Sequence, residues 1–284
     1  MDLRETVFAG SWYPRKAADC AREIDRFLQQ GTPKPQSPAQ WIGGIVPHAG
    51  WYYSGQIACN VIEWLKDELP PEVVVLFGMH LHPASANHLM PTGAWQTPFG
   101  TMPVAQELAE HLMQRFDFQI ETPSRFVQDN TIELQLPFVK YLLDPQTILG
   151  VGVAPNAKAP QIGEAVAAWA RENDRRIKII GSTDLTHYGP NYGFMPKGTG
   201  PQALEWVRNE NDRRAVEAFT AMAPQSVMET GRQNQNTCCT GAIAAAVAAI
   251  RQLGATHARE VAYATSYDKT PGESFVGYVG VAFA

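Results

Sequence analysis

Seven histidines occur in the 284-residue sequence, and four of them stand just beyond apolar runs that read as strands. "GGIVPH" delivers His48, "VVVLFGMHLH" delivers His80 and then His82, and "IKIIGSTDLTH" delivers Asp184 and His187. Imidazole is both a common metal ligand and the side chain best suited to move protons near neutral pH. One histidine past a strand is an ordinary structural residue. Three strand ends with the same polar chemistry argue for one site, because open α/β sheets collect ligands outside the carboxyl ends of their strands. His82 reads as a loop residue. His88, His111 and His257 lie on or beside polar helices or loops and read as structural.

Thiols and carboxylates add to this set. In "NQNTCCTGAIAAAVAAI" (234–250), Asn236 or Thr237 can cap an Ala-rich helix and leave Cys238 and Cys239 in its first turn. Free N–H groups and the helix dipole favour thiolate there, and thiolate is a metal ligand or a nucleophile. Adjacent positions on a helix point in different directions, so one thiol packs while the other faces the site. In "FVQDNTIELQLPF" (126–138), Asp129 is a candidate N-cap. Glu133, among apolar neighbours, either caps its own helix or needs a buried partner such as a backbone N–H, a histidine or a metal-bound water. Glu273, before the closing strand in "PGESFVGY", is another carboxylate to weigh as an anionic ligand. Trp51, Tyr52 and Tyr53, just after His48, supply either a flat wall for an aromatic ligand or core filling.

The elements that must position these groups follow from hydrophobic periodicity. Strands are expected at 41–47, 72–78, 147–153, 177–181, 259–267 and 274–284. Helices are expected at 17–30, 54–67, about 104–115, 129–143, 159–172, near 202–221 and 238–253, with a turn-rich connector at 31–38. Strands alternating with helices predict an α/β sheet covered on both faces, and no repeat or linker divides the chain, so one domain is expected over 1–284.

Composition bounds the partners. The net charge is −5 with no Lys/Arg block, which argues against nucleic acid or an anionic membrane surface as the main partner. The longest apolar run, "AIAAAVAAI", is far too short to span a bilayer. The N-terminal stretch lacks the pattern of a secretory signal. Two of the four cysteines are adjacent, a poor disulfide framework, so a reducing cytoplasm is the expected compartment. Assembly into a homo-oligomer is left open.

Taken in order, "VFAGSWYP", "VPHAGWYYSG", "W-x-TPFG", "DNTIELQLPF", "STDLTHYG", the cysteine before the Ala-rich helix and the closing "ATSYD…ESFVGYVGVAF" resemble the Memo family over nearly the whole chain. That family is structurally akin to the class III extradiol ring-cleaving dioxygenases. The resemblance implies a doubly wound, single-domain α/β fold with a metal pocket at the strand ends. It implies that His48 and His80 are metal ligands and that Cys239 holds the third ligand position, which is a glutamate in the ring-cleaving relatives. It further matches His187 to the acid–base histidine, with Asp184 beside it. Two departures stand out: Asn130 replaces the family's usual histidine, and "FGMH" replaces the usual "GP(N/S)H".

Two histidines and one anionic ligand leave open positions on Fe(II). The expected function is therefore Fe(II)-dependent cleavage of a small catechol-like or hydroxypyridone ring with O2. His187 would move the proton, Asp184 would orient its imidazole, and Trp51, Tyr52 and Tyr53 would bind the aromatic or heteroaromatic substrate. The alternative is a Memo-like iron- or copper-binding protein without ring cleavage, acting in redox chemistry or as a binding module. A zinc hydrolase is a third reading.

Overall fold

The computed structural model describes residues 2–35 and 40–284, so the last part of the expected connector, residues 36–38, lies outside the described residues. The strands are β1 (Leu3–Arg4), β2 (Gly43–Val46), β3 (Val73–Gly78), β4 (Asn87–Leu89), β5 (Ala94–Thr97), β6 (Gly100–Pro103), β7 (Phe118–Ile120), β8 (Thr147–Gly152), β9 (Ile177–Ser182), β10 (His187–Tyr188), β11 (Ala258–Thr265) and β12 (Phe275–Phe283). The helices are α1 (Ala17–Gln30), α2 (Trp51–Trp64), α3 (Gln106–Met113), α4 (Asn130–Glu133), α5 (Leu136–Phe138), α6 (Ala159–Glu172), α7 (Pro201–Trp206), α8 (Asp212–Thr220), α9 (Pro224–Asn234) and α10 (Thr240–Gln252).

The central sheet runs in the order β10-β12-β2-β9-β3-β8-β4-β7, with β11 also paired to β12. Its middle strands, β2, β9, β3 and β8, are parallel, while β12 is antiparallel to β2. β2 and β3 are continuous apolar or glycine runs, and β9 departs from that pattern only at Lys178 and at its last residue, Ser182, because the sheet is buried on both faces. The glycines of β2 show which helices cover each face. Successive residues point to opposite faces. A Cβ at Gly43 would meet Ile250 of α10, and one at Gly44 would meet Val61 of α2. The sheet is thus flanked on both sides, as a doubly wound α/β fold requires.

α10 is buried from Thr240 to Ile250. Its alanines allow α6 to approach so closely that a Cβ on Gly163 would lie 1.9 Å from the carbonyl oxygen of Ala245. A helix that is small and apolar all round can occupy such an interior slot. A separate three-stranded sheet joins β1, near the N-terminus, to the β5-β6 hairpin, in parts of the chain where the sequence predicts no strand.

Some elements depart from expectation. The helix expected at 129–143 breaks into α4, α5 and a π-turn over Val139–Leu143. Pro137 has no N–H to offer the preceding turn, so a continuous helix cannot form across it. The helix expected near 202–221 divides into α7, a π-turn over Val207–Asn211 and α8. α9 lies where the sequence predicts no helix. α2 begins at Trp51 rather than at residue 54.

Candidate metal centre

Parallel pairing brings the chemistry to one edge. Val46 of β2 is in register with Ser182 of β9, and Phe77 of β3 with Gly181 of β9. The residues that follow, His48, His80 and Asp184, therefore leave the sheet side by side. β12 runs the other way, so its start also lies at this edge and pairs through Val276 with His187.

His80 is turned out of line by Met79, whose φ of 72° is in the left-handed region that a non-glycine side chain seldom occupies. The turn is held by the Met79 N–H, which donates to Thr131 Oγ1 at 2.7 Å. Strained backbone of this kind is retained where surrounding contacts over-determine it.

The ligand atoms of His48, His80, Cys238 and Cys239 lie within 4.8 Å of one another. Cys238 Sγ is 3.3 Å from His48 Nε2 and 3.7 Å from Cys239 Sγ. Neither cysteine is inside a helix: α10 begins at Thr240, and Cys239 occupies its N-cap position. The expected first-turn placement is thus corrected, and the rule that one thiol must turn away no longer applies. Cys238 stands against the histidines, and Cys239 remains in the same cluster.

The surrounding hydrogen bonds fix both imidazoles. Ser182 Oγ donates to the carbonyl of Thr131 at 2.8 Å. Its one hydrogen is used, so it accepts from His48 Nδ1–H at 3.0 Å. His80 Nδ1 donates to Asp129 Oδ2 at 3.0 Å, and Asp129 Oδ1 caps α4 by accepting from Thr131 N. Each ring therefore turns Nε2 toward the sulfurs. A histidine whose far nitrogen is tied to a carboxylate or hydroxyl is arranged as metal ligands usually are.

Charge agrees with this geometry. Burial would raise the Cys238 pKa, but Cys239, His48 and His80 outweigh burial and hold it well below the ordinary thiol value. Burial and the neighbouring sulfur push Cys239 the other way. Burial would lower His80, yet Asp129 and Cys238 raise it to about 10. His48 is likewise raised against burial, by Asp184 and Cys238. These directions favour thiolate on Cys238 and positive charge on the neighbouring imidazoles, a charge pairing that a bound cation would replace. The backbone N–H of Asp184 also donates to Cys238 Sγ at 3.2 Å.

Beside the cluster opens a pocket of about 550 Å3, lined by both imidazoles but by neither cysteine. Tyr52, Tyr53, Asp184, His187 and Tyr192 contribute to its wall. Trp51 does not. Its ring stacks on Phe138 at 4.1 Å in the core, and its Nε1 donates to the Leu134 carbonyl, so its expected role in substrate binding is withdrawn. As the first residue of α2 it faces inward, while Tyr52 is exposed.

Asp184 accepts from the backbone N–H of His48 at 2.7 Å, and no hydrogen bond joins it to His187. The His187 ring is oriented instead by the Leu185 carbonyl, which accepts from Nδ1 at 3.1 Å, and by edge contact with Tyr192. His187 thereby keeps Nε2 as a proton acceptor. Asn130 donates to the His48 carbonyl at 2.8 Å, a positioning contact.

The other candidates fall away. His82 is exposed, and its ring turns back to the Ala84 N–H. Glu273 is exposed. Glu133 is buried, and its carboxylate is engaged by the N–H groups of Val7 and Phe8 and by the Tyr13 hydroxyl. It anchors the N-terminal segment whose Ser11 and Trp12 complete the pocket rim. His88 pairs with Glu121 at 3.1 Å, beside the buried Arg4, and is structural.

The fold and the site together define a mixed α/β protein with a His/Cys cluster suited to a metal at the strand ends. The comparisons place it further: the profile described as "Memo-like protein" matches residues 4–282, and the chain belongs to that family. It is 32% identical over 286 residues to the MEMO1 family protein MTH_45 of Methanothermobacter thermautotrophicus, covering 97% of this chain and 98% of that one. It is 30% identical over 292 residues to the MEMO1 family protein MK0963 of Methanopyrus kandleri, covering 99% and 98%. Among solved structures, an uncharacterized protein, JW3007, from Escherichia coli K12 aligns with a TM-score of 0.54 at 11% identity. That alignment covers 86% of this chain and all 100% of the other, and it bears on the fold alone. Among the described residues, no helix is long and apolar enough to cross a membrane.

Proposed function

We propose that the protein is a metal-binding member of the Memo family that holds one transition-metal ion through His48, His80 and cysteine sulfur, acting in redox chemistry or as a binding module for a small ligand in the adjacent pocket. One observation carries this reading: two fixed imidazoles and two sulfurs converge within 4.8 Å. The donor set fits a metal. Imidazole and thiolate suit zinc, copper and iron, whereas magnesium and calcium prefer oxygen. When bound, such an ion supplies Lewis acidity or, if copper or iron, one-electron chemistry. The chain supplies the rest: Asp129 and Ser182 hold the ligand rings, and Tyr52, Tyr53 and Tyr192 border the ligand space. The test is metal analysis after anaerobic purification. Stoichiometric metal in the protein, lost in His48→Ala with the fold kept, supports the reading; unchanged metal in that variant overturns it.

A second reading, Fe(II)-dependent extradiol cleavage of a small catechol-like or hydroxypyridone substrate with O2, is favoured by one feature. His187 presents a free Nε2 to the pocket, placed to take a proton from a bound hydroxyl. Oxygen uptake by iron-loaded protein over a panel of such substrates tests it. His187→Ala should keep the metal and lose roughly two to four orders of magnitude in turnover. No oxygen uptake on any of them by wild-type protein discards this reading.

A further inference from the structure

We infer that Cys238 and Cys239 both bind the ion, closing a four-coordinate two-His, two-thiolate site that selects zinc. This rests on the metal-binding reading above and goes beyond the three-ligand set that the family resemblance implies. The argument begins with distances. A tetrahedral zinc ion, with Zn–S of about 2.3 Å and Zn–N of about 2.0–2.1 Å, holds its sulfurs about 3.8 Å apart and each S–N pair about 3.5 Å apart. The two sulfurs here are 3.7 Å apart, and Cys238 Sγ is 3.3 Å from His48 Nε2. Two edges of the tetrahedron are thus already present to within about a quarter of an ångström.

The backbone around the pair supplies the second line of argument. Cys238 N donates to the Asp184 carbonyl at 3.2 Å, and Asp184 N donates back to Cys238 Sγ at 3.2 Å. Cys239 N donates to Thr183 Oγ1 at 3.1 Å. The segment before α10 is zipped to the end of β9, and this zipper holds both sulfurs within 4.8 Å of the imidazole nitrogens. An N–H aimed at a sulfur is the kind of outer contact that steadies a metal thiolate. A thiolate makes use of such a donor, whereas a thiol packed as a small apolar residue has no need of one.

Chemical selection follows from the donor count. Four protein ligands in a tetrahedron leave no position for a chelating substrate and O2, whereas a facial set of three would. Two thiolates with two imidazoles suit a d10 ion of borderline softness. The pocket bordered by His187 and Tyr192 would then bind its ligand beside the ion.

Reduced, metal-stripped full-length protein titrated with Co(II), and with Zn(II) against a chromophoric chelator, tests the assignment. Wild-type protein should show tetrahedral Co(II) bands with thiolate charge-transfer intensity that falls by half in both Cys238→Ser and Cys239→Ser, and zinc affinity should fall at least tenfold in each. Cys238→Ser with the wild-type spectrum and affinity overturns the proposal while leaving the metal-binding reading intact. Wild-type protein that binds neither ion overturns both. A measurement on unmutated protein guards against misfolded variants: zinc should protect Cys238 and Cys239 together from alkylation, and a chelator should release both. Cys238 alkylating freely in zinc-loaded protein overturns the second thiolate. Cys20 and Cys59, fully buried, serve as internal references.

Discussion

Replacing Glu133 separates an anchor from a ligand. Its Oε1 accepts from Val7 N at 2.9 Å, Phe8 N at 2.8 Å and Tyr13 Oη at 3.0 Å, while Oε2 also reaches Val7 N at 3.0 Å. The side chain is 3% exposed, so water cannot readily replace it. Glu133→Ala leaves three donors without a partner. At about 1.5 kcal/mol for a hydrogen bond to a charged acceptor, the loss sums to about 4–5 kcal/mol, and relief of carboxylate burial offsets part of this. We expect a net loss of about 3 kcal/mol, or roughly 6–12 °C in Tm for a chain of this size. Glu133→Gln keeps an oxygen in the Oε1 place and sets an NH2 group against only one N–H, so its cost should be about 1 kcal/mol. Urea unfolding gives the energies, and hydrogen exchange at the Val7 and Phe8 amides reports the anchor directly. Both variants should retain the metal. An alanine variant that loses less than about 1 kcal/mol with both amides still protected would refute the anchoring argument; loss of metal from a folded variant would return Glu133 to the ligand list.

Three further expectations follow from the geometry. Asp129→Asn still caps α4 but no longer holds His80 as an anion, so metal affinity should fall about 10–100-fold by chelator competition, and an unchanged affinity would remove Asp129 from the support of the site. Gly163→Ala should cost about 1–3 kcal/mol or more in urea unfolding, because its Cβ has no room against α10; a neutral substitution would mean that the helices part easily. Burial pushes the Asp212 carboxyl up to about 6 from 3.8, against hydrogen bonds from Thr186 and Tyr263. The folded chain then keeps a proton that the unfolded chain has released, so this group's contribution to stability falls as pH rises through that window and is level above it. Comparing Asp212→Asn with wild type from pH 4 to 7 reads the effect as a difference in slope, and an opposite sign would contradict the assignment.

The strand ends were legible because buried strands leave unbroken apolar runs, and polar residues directly after them stand out. His48, His80, Asp184 and His187 each fall just past such a run, and the fold sets those strands side by side. The cysteine pair was harder to read. An Ala-rich run signals α10 clearly but not its first residue, and a shift of two positions changes where each sulfur points. Trp51 misled for the same reason, since α2 starts at that residue and turns the ring into the core. The partners of Glu133 are more than 120 residues away in sequence, at Val7 and Phe8, and no local pattern carries such a contact. The order of β12 beside β2 is also a long-range outcome. His187 owes its place in the pocket to that pairing.

The zipper between β9 and the start of α10 would govern when the chain could take up an ion at this site. His48 and Cys238 are 190 residues apart in sequence. An ion joining them would act as a cross-link over most of the polypeptide, and the restriction this places on an unfolded chain grows with loop length. No partial translation product that lacks the α10 segment could offer all four donors. Capture of the ion would therefore report that the sheet has already closed. At a hundredfold excess over its Kd, an ion that binds only the native state adds about 2.7 kcal/mol of stability. The metal would then serve as the last fastener of assembly as well as the centre of the site, and metal supply would set how long each molecule survives proteolysis.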